Sequence, residues 1–167
     1  EPNFWKQIVE DWKTNRIGQS PYIHVGENDT VGSCVCPQCM AWDVPSPNMT
    51  IPWDKRLDYA TKAFEEKESR WPQYLGSVSD RYAKFYMSVL KLAQKMDPNA
   101  IVEGFAYANY SKPPIQAKLC ENVIIHFVGT LMYPWTDEKV QTFTKEWDGW
   151  ANTGAKMVLR PNFMLDG

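Results

Sequence analysis

The segment Tyr22-Ile-His-Val-Gly-Glu-Asn-Asp29 runs an apolar, strand-like stretch into two carboxylates and an amide. Cys34-Val-Cys-Pro-Gln-Cys39 follows at once. Two carboxylates at a strand end can divide acid and base work. When both would ionise close together, the pKa of one rises, and that one becomes a proton donor near neutral pH. Glu27 and Asp29 are therefore the candidate catalytic pair, and Asn28 between them is a candidate ligand-binding amide.

Three cysteines within six residues have three readings. Cys34, Cys36 and Cys39 could hold a structural zinc ion, with Cys120, His24 or His126 as fourth ligand. The four cysteines could instead form two disulfides, with three connectivities open, or stay reduced. C-x-C-x-x-C is half of a zinc signature, since no second paired ligand set follows it.

Further polar groups sit in strand-like runs. Alternation puts His24 out of phase with Ile23 and Val25. It sets Glu103, Phe105, Tyr107 and Asn109 against Val102, Gly104, Ala106 and Ala108, and leaves His126 between Ile125 and Phe127. Arg160 and Asn162 follow the last strand. Each strand thus offers one polar and one apolar face. Glu103, near its strand's start, is expected at the stability end or in solvent, and both histidines also fit a purely interior role.

The elements that must hold these residues read clearly. Residues 3–16 form an amphipathic helix with Trp5, Ile8, Val9 and Trp12 on one face, and Gly18 and Pro21 hand over to a strand at 22–25. Residues 28–79 form a long Trp- and Pro-rich loop insertion at the C-terminal face of the strands, with a short charged helix near 60–70. Ser79 is placed to cap a helix carrying Tyr82, Phe85, Tyr86, Val89, Leu92, Ala93 and Met96, which stops at Asp97-Pro98. Strands at 101–110 and 123–128 follow. Thr136 caps a third helix burying Val140, Phe143 and Trp147, and a strand at 156–159 ends the pattern.

Strands separated by helices imply right-handed parallel crossovers. Four such strands make about half of an eight-stranded barrel, whose usual length is about 250 residues. The expectation is a single α/β domain over 1–167: a partial (β/α)8 TIM-type barrel, a fragment of a longer one. A small open α/β sheet is the alternative.

Composition narrows the partners. The 167 residues carry a net charge of -2 with no dense Lys/Arg run, which argues against nucleic acid. No apolar stretch is long enough to span a bilayer, and the opening Glu-Pro-Asn-Phe-Trp is not a targeting segment. Aromatic content is 14%, including 8 Trp and 8 Tyr, residues suited to surfaces that are part apolar and part wet. Three N-glycosylation-type triplets, at Asn28, Asn48 and Asn109, are common by chance.

Gly26-Glu-Asn-Asp29, the cysteine run with Ala41 and Asp43, the helix from Tyr82 to Met96, Asp97-Pro98, Phe105-Ala-Tyr107, Lys112-Pro-Pro114 and Glu121-Asn-Val-Ile-Ile recur in one order. Together they resemble the bacterial glycosidase-like proteins catalogued as domain of unknown function 4838. The resemblance implies a (β/α) barrel distantly similar to α-glucuronidases and hexosaminidases, usually the central part of a longer exported protein. This chain departs from it by its expanded segment from Trp42 to Trp71.

The expectation is a glycoside hydrolase-like protein acting on complex polysaccharide or its oligosaccharides, uronic-acid-containing ones included. Such enzymes use two carboxylates, about 5–5.5 Å apart for retention and about 6.5–9.5 Å for inversion. Glu27 and Asp29 would be acid and base, with no cofactor required. Asn28, Tyr107, Asn109, His126 and Arg160 would bind hydroxyls or a carboxylate, and Trp42, Trp53 and Tyr110 would stack on sugar faces. The alternative is a non-catalytic carbohydrate-binding or scaffold module with a structural cysteine cluster. A metal-dependent hydrolase ranks last, because a thiolate-rich set usually closes a zinc site.

Overall fold

A computed structural model describes residues 2–16, 20–26, 34–47, 49–69, 71–129 and 134–161. Four strands, β1 (Tyr22–His24), β2 (Ile101–Ala106), β3 (Val123–Phe127) and β4 (Lys156–Leu159), form one parallel sheet in the order β1-β2-β3-β4. The register pairs His24 with Glu103, Phe105 with His126, and His126 with Val158.

One sheet face is apolar and packed. Ile23, Val25, Val102, Ala106, Val123, Ile125 and Phe127 form a single core with helices α1 (Pro2–Arg16), α4 (Ser79–Ala93) and α5 (Asp137–Ala151). All three helices contribute to that one core. Val9 and Trp12 of α1 are buried, and the Trp12 indole donates to the Ser20 carbonyl, fixing the approach to β1. Tyr86 of α4 lies over Gly104, where a Cβ would collide with its ring. The Tyr86 hydroxyl donates to the Phe105 carbonyl at 2.9 Å and accepts from the Phe105 N–H at 3.2 Å.

Several expected details shift. α4 begins at Ser79 rather than being capped by it. The Ser77 hydroxyl accepts the Ser79 N–H, and the Ser79 hydroxyl donates to the Lys112 carbonyl. β2 ends at Ala106, because Ala108 takes φ 47° and starts a 3-10 turn over Ala108–Tyr110. Thr136 caps α5 as expected, its hydroxyl accepting from the Lys139 N–H, but Val140 is 43% exposed. The fully buried α5 residue is Trp150, whose indole donates to the Ser111 carbonyl at 2.8 Å.

The stretch expected as a long loop holds helix α2 (Pro37–Met40), a 3-10 turn Trp53–Lys55, helix α3 (Arg56–Glu65) and a 3-10 turn Trp71–Leu75. Tyr59 against Tyr74 and Phe64 against Trp71 pack this segment on itself. The β2–β3 connection has no α-helix. The Asp80 carboxylate fixes it by accepting the N–H groups of Ile115, Gln116 and Ala117 at 2.7–2.9 Å.

Candidate functional site

The sheet face opposite the core collects polar groups, because one residue in two along each strand points there. Glu103 sits between two histidines. His24 Nδ1 lies 2.7 Å from Glu103 Oε2, and His126 Nε2 lies 3.7 Å from Oε1. An ionised carboxylate only accepts, so the short contact puts the proton on His24 Nδ1 and leaves Nε2 for a ligand. The Glu103 side chain is 14% exposed and that of His24 is 63% exposed. A sheltered carboxylate thus orients an accessible imidazole. The 3.7 Å approach of His126 is an ion-pair distance, longer than a hydrogen bond.

Phe105 floors the neighbouring part of this face. Its ring centroid lies 5.6 Å from that of His126, and the Arg160 guanidinium stands 5.0 Å above it. The Arg160 N–H donates to the Phe127 carbonyl, which anchors that residue just past β4. Two imidazoles, one carboxylate, a guanidinium and an aromatic ring make a surface able to bind hydroxyls, carboxylates and the apolar face of a ring.

A second cluster lies in the insertion. Ligand atoms of Cys34, Cys36 and Cys39 all fall within 4.8 Å of one another, so the group could hold a metal ion. Cys36 precedes α2, and the Cys39 N–H and the neighbouring thiols lower its pKa. Burial, then the Cys36 and Cys34 sulfurs, push the Cys39 thiol up to about 11. Beside them Asp43, with a side chain 2% exposed, receives both arms of Arg81 at 2.8 and 2.6 Å and lies 3.6 Å from Arg56. Arg81 also donates to the Cys34 carbonyl, and Lys84 to the Trp42 carbonyl, both at 2.7 Å.

With both sites described, kinship can be placed beside them. The family model "Domain of unknown function (DUF4838)" matches residues 4–164, nearly the whole chain. The chain belongs to the DUF4838 family. No curated protein and no solved structure matches it.

In this DUF4838 chain, two of the expected site residues, His126 and Arg160, meet on the polar sheet face. Tyr107 follows β2 in extended conformation and is half-buried, and Asn109 lies in the 3-10 turn beyond it. Glu27, Asn28 and Asp29 lie outside the described residues. They follow Gly26, whose Cα sits beside the Phe105 ring.

The aromatic candidates are otherwise engaged. Tyr110 is 1% exposed and stacked on Tyr82 at 4.1 Å, so it offers no ring face to a ligand. The Trp42 ring lies 5.3 Å from Trp5 of α1, and Trp53 is covered by the Arg56 guanidinium at 3.8 Å. Among the described residues, no fourth ligand joins the cysteine group. Cys120 packs against the core, and both histidines face Glu103.

His24 and Glu103 are the residues that sequence reasoning left out of the site. Their common phase was visible, but the register was not. β1 is short, and its last residue lies level with Glu103, so Glu103 sits beside a strand end instead of far beneath it.

Proposed function

We propose that this DUF4838 chain is part of a glycoside hydrolase-like (β/α) barrel acting on complex polysaccharide or oligosaccharide. The observation that carries the reading is the His24–Glu103–His126 array, with Arg160 and Phe105 beside it, on the sheet face opposite the core that the helices share. Sequential parallel strands with their helices sharing one core are the arrangement of a barrel, in which the opposite face becomes the lumen. An open doubly wound sheet instead reverses strand order and places helices on both faces.

In this reading the polar face binds sugar hydroxyls or a uronic carboxylate. Glu27 and Asp29, which follow β1 in the chain, supply acid and base, with Asn28, Tyr107 and Asn109 nearby in sequence to the ends of β1 and β2. The chemistry requires no cofactor, and a zinc ion in the cysteine group would be structural. In this reading the parent protein would work outside the cytoplasm, as the resemblance noted in the sequence implies. The second reading, a carbohydrate-binding module without catalysis, draws on one observation: both Glu103 oxygens already face imidazoles, a state suited to orienting groups more than to donating a proton.

The test is sugar release from a polysaccharide panel by the parent protein, with Glu27→Gln, Asp29→Asn and Glu103→Gln in parallel. Loss of an acid or base should lower release by about 10²–10⁴-fold with folding intact. Release unchanged in all three variants would sink the site. Sugar retention without release, abolished by Glu103→Gln, would establish the binding module.

A further inference from the structure

We infer that Cys34, Cys36 and Cys39 bind one thiolate-seeking metal ion, zinc by ligand chemistry, and that the ion pins the insertion's entry against α4. The inference stands apart from the carbohydrate reading, since it concerns a different cluster.

Packing does not explain these thiols. A structural free cysteine behaves as a small hydrophobe and buries itself. Cys120, half-buried, packs its side chain against the core in that way. Cys34 is exposed and Cys36 and Cys39 are half-buried, none of them part of that core, yet their sulfurs converge within 4.8 Å. Zinc–sulfur bonds of about 2.3 Å in a tetrahedron put sulfurs about 3.8 Å apart, so closing onto an ion takes a contraction of about 1 Å at most. Three thiolates of this kind select zinc, copper(I) or iron–sulfur chemistry over oxygen-seeking cations.

The backbone is already shaped for it. The Met40 N–H donates to the Cys36 carbonyl and the Trp42 N–H to the Cys39 carbonyl, folding residues 36–42 into a tight knuckle. The knuckle is braced from outside by two guanidiniums, of which Arg56 donates to the Met40 carbonyl within it at 3.2 Å. Arg81 donates to the Cys34 carbonyl before it and clamps Asp43 after it. Polar partners that hold ligand-bearing backbone in place tune metal affinity. The fourth corner falls to water.

The experiment uses the full chain, purified under reducing conditions without added metal and then titrated with zinc and with cobalt(II). One equivalent of metal per chain is expected, with cobalt giving thiolate charge-transfer bands and tetrahedral d–d absorption. Cys39→Ser should abolish both and Cys120→Ser neither. If Cys39→Ser fails to fold, Arg81→Gln decides, because it keeps every thiol and should weaken binding by about 10–100-fold. Chelation should raise proteolytic cleavage within residues 34–75 while amide protection in β2 and β3 holds. Four thiols still free of metal after the zinc titration, a Cys36–Cys39 disulfide that survives purification under reducing conditions, or full retention of metal by Cys39→Ser would each overturn the assignment.

Discussion

Asp43 is a buried carboxylate shared by Arg81 and Arg56, and removing its charge would strand two guanidiniums. Asp43→Asn is expected to destabilise the chain by about 3 kcal/mol, read as a lower urea midpoint with unchanged slope. Glu146 is a milder case. Its burial raises its pKa above the ordinary carboxylate range, against a smaller opposing effect of Lys112. The folded state then holds this proton more tightly than the unfolded one. Its contribution to stability therefore falls as pH rises from the ordinary value through the raised one, and stays lower above it. Glu146→Gln should remove that slope and leave the chain more stable than the parent at neutral pH, as denaturant midpoints across the range would show. Neither property was legible in the sequence. Asp43 sits among prolines and reads as a loop residue, and the burial of Glu146 on α5 depends on what that helix packs against.

At the scale of elements, β2 outruns its neighbour. The Val25 N–H still donates to the Glu103 carbonyl, but at Phe105 the Tyr86 hydroxyl serves both backbone groups. Tyr86→Phe would leave that N–H and carbonyl short of a partner and should cost about 2 kcal/mol. Gly104→Ala would drive a methyl into the Tyr86 ring and should cost about 1–3 kcal/mol, with the two effects coupled in a double-mutant cycle. Helix positions were readable because apolar spacing of 3.6 is local, and α1, α4 and α5 lie close to their expected limits. Strand ends were less so. The expected strand to Tyr110 stops at Ala106 because Ala108 adopts a left-handed conformation, which residue type alone gives no reason to expect. Tyr110 is buried for the same reason, since the turn brings it onto Tyr82.

For the whole molecule, the parallel sheet and its two-faced character followed from alternation, whereas the convergence of His24, Glu103 and His126 required the stagger between strands. Among the described residues the sheet leaves β1 and β4 as edges, and Val158 and Leu159 of β4 are exposed. Such an edge is a template for pairing with another chain. The isolated chain should associate with rising concentration, and Val158→Lys should reduce that association in light scattering. The insertion has a different bearing. Its rings pack largely on one another, and its described polar ties to α4 run from Arg81 and Lys84 to residues 34, 42 and 43. A segment packed mainly on itself, and joined to its host through these ties and through Trp42 against Trp5 of α1, can diverge, lengthen or be exchanged between relatives without rebuilding the sheet. In an evolving lineage, new selectivity could therefore arise by trading this cassette while the strands and their polar face pass down unchanged.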